Sequence, residues 1–422
     1  MQPHESASGP HVLRQINATA VLRAARDSSP ARVADLMSAT GLSRPAVTRA
    51  VAELRDAGLI ADVDELAQVA MGRPAQWVRF RAEVGHVVGV DVGSRKVLAM
   101  VADLSGRVVA SRQVTIGDGG TGGRMLRSLR NAIAGALADA GLASGDVWAV
   151  VVGAPGIVDD RSGEVLLAPS IPGWAHLPVL AELRKVVSCP VLIENDVNLA
   201  VLAERWCGAA PGSDSLVFVH WGVRIGAGII IDGKPYRGAN GAAGEIGFAD
   251  LFSPLDTELD GEAGGDVDVT PDAADAVGPF ERLVGAQAIH RLASTKTSSF
   301  GQPGLADDPH AAASEEAVVA LFAAAAEGDE AALEIVDRIA ARFARGLAVL
   351  LVVLDPREII IGGGVSRAGD TLLAAIERHL RPQVLTWPRL ALSDLGGDAV
   401  ALGAVRRALD HAEDRLVEYR GA

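Results

Sequence analysis

The feature that most constrains the fold is a short apolar run that ends in a cluster of polar residues. Residues 191–198 read Val-Leu-Ile-Glu-Asn-Asp-Val-Asn, and the helical pattern Leu199–Trp206 follows them. An apolar run without alternation is typical of a parallel strand that is covered on both faces. Because ligands bind beyond the carboxyl ends of such strands, Asn195 and Asp196 are expected at a ligand crevice.

Asp196 has two interpretations. A carboxylate next to an amide can orient a hydroxyl group and accept its proton, which is the work of a general base. Alternatively, Asp196 is the N-cap of the following helix, where short polar side chains are preferred. The strand by itself leaves both interpretations open.

The charge distribution separates the N-terminal part of the chain from the rest. The 422 residues include 39 basic and 53 acidic ones, so the whole surface is not expected to bind nucleic acid. Residues 1–80, however, contain nine arginines and eight acidic residues, whereas the remainder contains 30 basic and 45 acidic residues. This asymmetry indicates an N-terminal module with a partner of its own.

The cysteine content and the hydropathy pattern predict a cytoplasmic protein. Cys189 and Cys207 are the two cysteines, which form neither a disulfide framework nor a zinc cluster. No apolar run reaches the length of a membrane span, and the N-terminus lacks a basic-then-apolar signal pattern. We therefore expect no membrane partner.

The N-terminal module has the pattern of a helix-turn-helix. Three helices are predicted, at Val12–Arg26, Arg32–Ala39 and Arg44–Ala57. A turn with Gly41 precedes the third helix, which Ser43 is expected to cap and which has Pro45 in its first turn. The second helix of such a motif places its N-terminal side chains in the major groove of DNA.

Polar side chains on the third helix and a following hairpin extend this DNA-binding pattern. Four residues lie opposite the apolar face and can contact phosphates or base edges: Ser43, Arg44, Thr48 and Arg49. Strand patterns at residues 59–61 and 77–80 predict a wing, in which Arg73 is expected to enter the minor groove. The alternative is a small helical domain for protein contacts, but the turn, the cap, the basic face and the wing together favour DNA.

A strand, glycine turn, strand unit occurs twice after Gly85. The two turns lie around Gly93 and Gly222, and two such halves would enclose a cleft. Glycine turns that face a cleft can bind phosphates through backbone N–H groups, although such turns are common. Further along the chain, residues 241–248 are predicted to open a helix, and another helix is predicted at 279–293. Residues 251–278 contain eight acidic residues and no basic one, which indicates a solvated loop. The spacing of these acidic residues does not match that of known metal ligands, so it gives no indication of a metal site.

Five segments together resemble the ROK family of repressors and sugar kinases: residues 90–93, 153–156, 194–198, 238–247 and 361–366. The resemblance covers nearly the whole chain and is to the regulator branch. It implies an α/β fold in which a winged helix-turn-helix (1–82) precedes a two-lobed actin-like (ribonuclease-H-like) sugar-kinase domain. The lobes would be 83–210 and 211–422, the second with the acidic loop 251–278. A homodimer or homotetramer is also implied.

The resemblance implies a sugar site but argues against catalysis. In the family's kinases the position of Asp196 is the general base, and the positions of Asn195 and Glu245 bind the sugar. Gly153, in another matching segment, is also expected to contact the ligand. Residues 91–96 read Asp-Val-Gly-Ser-Arg-Lys where kinases have Asp-x-Gly-Gly-Thr-Lys, and residues 222–226 read Gly-Val-Arg-Ile-Gly instead of Gly-Thr-Gly-x-Gly. Arg224 stands where only glycine lets the backbone approach a phosphate. Asp196 is therefore expected to be a vestigial base, with no cofactor.

Further departures weaken the sugar site itself. Phe248 and Ser170 replace a frequent His and Asn, and the family's cysteine-rich zinc stretch is missing, so no metal is expected. The effector is then an altered sugar, another small molecule, or none. The function we expect is a transcriptional regulator, a repressor, that binds double-stranded operator DNA and senses a sugar-like effector. The alternatives are an ATP-dependent sugar kinase and a ligand-independent regulator that uses the second domain for dimerisation.

Overall fold

The computed structural model describes residues 10–63, 76–117, 121–159, 162–251, 277–296 and 313–418. Arg73 and residues 252–276 of the acidic loop lie outside the described residues. Within these ranges the chain forms an N-terminal module followed by two lobes, each built around a five-stranded sheet.

The N-terminal module contains three helices and a small antiparallel sheet. Its elements are α1 (Pro10–Asp27), β1 (Ala31–Arg32), α2 (Val33–Thr40), α3 (Arg44–Asp56), β2 (Ile60–Asp62) and β3 (Trp77–Phe80), with strand order β1-β3-β2. Buried Val21, Leu36 and Val47 hold the helices together. The turn depends on Gly41, which has φ +68° and whose N–H donates to the Met37 carbonyl at 2.9 Å. The predicted helices and wing strands are confirmed; β1 was not predicted, because two residues show no alternation.

The first lobe is a mixed sheet covered by helices. Its elements are β4 (His86–Val92), β5 (Lys96–Asp103), β6 (Val108–Thr115), α4 (Gly122–Asp139), β7 (Val147–Ala154), β8 (Ile157–Val158), β9 (Val165–Leu167), α5 (Val179–Leu183), β10 (Val191–Asn195) and α6 (Asp196–Cys207). The strand order is β10-β7-β4-β5-β6, and β8 and β9 form a separate hairpin. The strand predicted from the apolar run is confirmed as β10, which pairs in parallel with β7 at the edge of the sheet.

The second lobe repeats this topology. Its elements are β11 (Ser215–Trp221), β12 (Ile225–Ile231), β13 (Lys234–Pro235), α7 (Pro279–Val284), α8 (Ala286–Lys296), α9 (Ala313–Ala326), α10 (Glu330–Leu354), β14 (Glu358–Gly362), α11 (Gly369–Leu380), β15 (Arg389–Leu392) and α12 (Ala399–Glu418). In both lobes the first three strands are antiparallel, and the last two lie parallel to the first, in the order fifth-fourth-first-second-third. The repeated unit predicted from the glycine turns is therefore confirmed.

The last helix returns to the first lobe. α12 packs on β4, β7 and α6, and glycines allow very close contact. A Cβ atom at Gly89 would lie 2.4 Å from the carbonyl oxygen of Ala401, and one at Gly403 would lie 1.8 Å from that of Leu199. The residue range of the second lobe thus contributes a helix to the core beneath the first sheet.

Two helix predictions in the second lobe are corrected. Residues 241–248 form no α-helix, because Gly241 and Gly244 have φ of +73° and +90°, and only a 3₁₀ turn follows at Ile246–Phe248. The helix predicted at 279–293 is interrupted at Gly285, which is extended. In the described ranges, no helix is long and apolar enough to cross a membrane.

Candidate functional site

The opening turn of α6 distinguishes the roles of Asn195 and Asp196. Asn195 is the N-cap: its Oδ1 accepts from the N–H of Asn198 at 3.0 Å, and its Nδ2 donates to the Gly156 carbonyl at 2.8 Å. The capping interpretation of Asp196 is therefore wrong. Asp196 is the first helical residue, and its Oδ1 accepts from the adjacent Val197 N–H at 2.8 Å. The Asp196 carboxylate is thus not the group that caps α6.

Three carboxyl groups with raised pKa values, two in the first lobe and one in the second, lie where the lobes meet. Burial, followed by the charges of Asp91 and Glu245, raises the pKa of Asp196 to about 7. Burial and the charge of Glu281 raise the pKa of Glu245 to about 7. Burial and the charge of Asp398, opposed by Lys96, raise the pKa of Asp91 to about 6. Mutual repulsion among desolvated carboxylates marks this region as a candidate binding site.

The sheet explains how Asp91 and Asp196 come together. Asp91 pairs with Gly153, and Gly153 pairs with Glu194, so the three lie in one row across β4, β7 and β10. Asp91 and the end of β10 are then two strand spacings apart, about 10 Å. Asp91 was not among the site residues predicted from the sequence. Its position at the end of a strand, directly before a glycine turn, could have indicated it.

Gly153 has a packing role that the sequence did not reveal. A Cβ atom there would lie 2.5 Å from the Val400 side chain and 2.9 Å from that of Leu199. The glycine is thus required where α12 and α6 approach β7. Any contact of Gly153 with a ligand is limited to its backbone.

An ion pair joins the two lobes beside Asp196. Arg237, which follows β13, donates from Nε to Glu194 Oε2 at 2.8 Å and also donates from Nη2. Glu194 is buried and also accepts from the Asn195 N–H at 3.3 Å. Backbone contacts accompany the pair, since a Cβ at Gly228 would lie 2.2 Å from the Val197 carbonyl oxygen. Arg237 was not predicted as a site residue. The sequence indicates it only by its charge, which directly precedes the glycine-rich segment.

Three backbone donors at the two glycine turns are engaged within the protein. The N–H of Ile225 donates to Glu281 Oε1 at 2.8 Å, and Arg224 forms an ion pair with the same carboxylate at 3.3 Å. The Gly222 N–H donates to the Arg224 carbonyl at 3.1 Å, and the Gly93 N–H donates to the Lys96 carbonyl at 2.9 Å. A phosphate would have to displace these bonds to bind as it does in a glycine-rich loop.

The α3 face presents the side chains that the sequence selected. Ser43, Arg44, Thr48 and Arg49 are all exposed, and Ser43 makes no side-chain capping bond. Within the described ranges, no carboxylate forms an ion pair with Arg44 or Arg49. Other arginines of the module are paired: Arg32 with Asp35, Arg55 with Asp62, and Arg79 with Glu83. Among the described residues, the guanidinium groups of Arg44 and Arg49 are thus not neutralised by a carboxylate.

We expect the ligand-free protein to become more stable as the pH falls from about 8 to about 5.5. The ordinary pKa values of these three carboxyl groups are 3.8 or 4.5, and their pKa values in the folded protein are about 6 to 7. Between those values the folded state binds more protons than the unfolded state, so stability is lost as the pH rises through this window. Thermal unfolding across the range measures the effect. Asp196→Asn should weaken the pH dependence, whereas Asp214→Asn, a carboxylate 71% exposed, should leave it unchanged. A melting temperature that rises with pH would contradict the burial of these carboxyls.

A metal site is not apparent in the described part of the chain, where no cluster of three His, Cys, Asp or Glu side chains has suitable geometry.

The fold and the carboxyl groups between the lobes define a two-lobed, sugar-kinase-like protein with an N-terminal helical module. The chain belongs to the ROK family, whose model matches residues 87–410.

Relatives of two kinds are similar to the chain. Glucokinase of Halalkalibacterium halodurans is 30% identical over 322 residues, which cover 75% of this chain and 92% of the relative. The N-acetylglucosamine repressor of Escherichia coli O6:H1 is 27% identical over 403 residues, which cover 95% of this chain and 90% of the relative. The family thus includes kinases and repressors, and the repressor match also extends over the N-terminal module.

A solved structure supports the arrangement of the whole chain. The crystal structure of a ROK family transcriptional regulator, described as a homolog of the E. coli MLC protein, superposes with a TM-score of 0.75 at 24% identity. The match covers 97% of this chain and 100% of that one. The predicted fold class, a helical module followed by a two-lobed α/β domain, is thereby confirmed.

Proposed function

We propose that the protein is a sugar-responsive transcriptional repressor that binds operator DNA through residues 1–82. The observation that carries the proposal is the exposed α3 face, on which Arg44 and Arg49 have no carboxylate partner among the described residues. Ser43 and Thr48 on the same face, and Arg73 in the wing, complete the proposed DNA contacts. The match to a repressor over 95% of the chain supports this assignment.

The two lobes, residues 83–210 and 211–422, form the proposed sensor. Asp196 and Glu245 would accept hydrogen bonds from sugar hydroxyls, with Asn195 and the Gly153 backbone shaping the floor of the cleft. We infer that a sugar bound between the lobes changes their angle and with it the separation of two modules in a dimer or tetramer. Half-site spacing on DNA is a strict geometric requirement, and an effector acts only if it binds the two states unequally.

A gel shift on the DNA upstream of the protein's own gene tests the proposal. We expect a specific complex that competitor DNA of unrelated sequence does not remove, and that glucose, xylose or N-acetylglucosamine weakens. A specific complex that none of the sugars affects would favour a ligand-independent regulator. Absence of any specific complex would contradict the function.

A sugar kinase is the second candidate. The match to a glucokinase over 92% of its length favours it, as does Asp196, because a pKa of about 7 suits a general base. The glycine turns disfavour it, since Arg224 and the Ile225 N–H are both bonded to the buried Glu281. A coupled assay over a panel of hexoses and N-acetylhexosamines distinguishes the candidates, because turnover that disappears in Asp196→Ala would favour the kinase.

We expect the protein to bind ATP no more tightly than about 1 mM, about the weak end of the range of substrate affinities. Three N–H groups at the turns, those of Gly93, Gly222 and Ile225, are engaged with Glu281 or with carbonyl groups of their own turns. Isothermal titration with ATP and Mg²⁺ measures the affinity. A dissociation constant in the micromolar range would contradict the assignment of a sensor without kinase activity.

A further inference from the structure

We propose that the cleft selects sugars without negative charge, binding an amino sugar more tightly than a neutral sugar and rejecting a sugar phosphate. This inference rests on the proposed sensing function, and it names the ligand class of the same cleft. Three observations carry it: unpaired carboxylates, arginines committed to buried partners, and turn donors that are already bonded.

The carboxylates of the cleft lack ion-pair partners. No described arginine, lysine or histidine lies within 4.0 Å of a carboxylate oxygen of Asp91, Asp196 or Glu245. Lys96 attracts Asp91 and Arg224 attracts Glu245 through space, but neither cation forms an ion pair with these carboxylates, and Arg224 is paired with Glu281. A ligand that enters the cleft therefore meets a negative potential, which becomes stronger as water is excluded.

Two arginines beside these carboxylates are bound to other partners. Arg237 binds Glu194, whose side chain is 10% exposed, and Arg224 binds Glu281, whose side chain is 2% exposed. Turning either guanidinium toward a ligand would leave a buried carboxylate without its cation, which is strongly unfavourable. Neither arginine is therefore available to a phosphate without disrupting the structure around it.

Three of the backbone donors at the turns are also unavailable to a phosphate. The N–H groups of Gly93, Gly222 and Ile225 are all donated within the protein. A sugar hydroxyl or a protonated amine needs acceptors instead, and the carboxylates supply them. A protonated amine has three hydrogen-bond donors and also a positive charge, which the carboxylates attract. The same electrostatic interaction therefore predicts the order of affinity: amino sugar first, neutral sugar second and sugar phosphate last.

The order can be measured on the full-length protein at about pH 7.5, where the cleft carboxyls are largely ionised. Isothermal titration would compare glucosamine, 6-amino-6-deoxyglucose, glucose and glucose 6-phosphate at constant ionic strength. We expect the better amino sugar to bind several-fold more tightly than glucose, and glucose 6-phosphate to bind at least about tenfold more weakly. Inorganic phosphate is the control for anions that bind the basic face of α3.

Glu245→Gln separates charge from shape. Removing one negative charge should raise the affinity of glucose 6-phosphate relative to glucose by about tenfold, because one repulsive interaction is lost. A merely structural defect would weaken all the sugars alike and leave the ratio unchanged. Glu327→Gln is the matched control, since this exposed glutamate lies outside the cleft and should leave the ratio as in the wild type.

The outcomes are distinct. Tightest binding by glucose 6-phosphate, equal binding of charged and uncharged sugars, or a ratio unaffected by Glu245→Gln would overturn the ligand class and leave the sensing function standing. Binding of none of the sugars would contradict sugar sensing itself, and the ligand class with it. DNA binding, measured in parallel, would then test the repressor assignment separately.

Discussion

Replacing both Arg44 and Arg49 by alanine should weaken operator binding by about 2–6 kcal/mol, which is a factor of about 30 or more. The two side chains are exposed on α3 and have no carboxylate partner among the described residues. Each arginine that contacts a base or a phosphate contributes about 1–3 kcal/mol, and two separate contacts add approximately. Fluorescence anisotropy with an operator fragment measures the loss.

The salt dependence of binding identifies the type of contact. An arginine that neutralises a phosphate should lower the slope of log K against log salt concentration by about 0.9 when it is removed. An arginine that reads a guanine should instead relax the preference for one base pair. The matched control is Arg184→Ala, because Arg184 is exposed at the end of α5, far along the chain from the module. If the double variant binds as tightly as the control, α3 is not the recognition helix.

Replacing Asp196 by asparagine should weaken sugar binding by about 1.5–3 kcal/mol, roughly 10- to 150-fold, because hydrogen bonds to a charged acceptor are the stronger ones. The asparagine has nearly the same shape, and the cap of α6 is made by Asn195, so the helix start should persist. The release of operator DNA by sugar should shift to correspondingly higher sugar concentration. Isothermal titration and the gel shift measure these two effects.

The pH dependence of binding distinguishes a lost charge from a distorted site. The wild-type protein should bind a neutral sugar more tightly as the pH rises through about 7, because an ionised carboxylate is a stronger hydrogen-bond acceptor for a hydroxyl than a protonated carboxyl group. Asp196→Asn should lose most of this dependence. Asp214→Asn, at an exposed site, should behave as the wild type. An unchanged affinity in Asp196→Asn would show that the sugar does not contact this residue.

Local patterns were sufficient to predict most elements. The strand β10, the helix-turn-helix and the repeated strand–turn–strand unit follow from apolar periodicity and from glycine at turns, which act over a few residues. The same local rules failed at residues 241–248, where backbone angles of two glycines exclude a helix that the apolar residues suggested. They also chose Asp196 as a possible cap, although the preceding Asn195 has equal preference for that position.

The sequence by itself determined the class of fold, the exposed polar side chains of α3 and the carboxylates at the ends of strands, because each depends on neighbours in the chain. The tertiary structure alone decided how these groups are used. Arg224 pairs with Glu281, 57 residues later, and Arg237 pairs with Glu194, 43 residues earlier. Gly153 and Gly403 are glycines because helices from distant parts of the chain pack against their backbone. Pairings of this kind depend on which elements the fold brings together, and no local pattern in the chain specifies them.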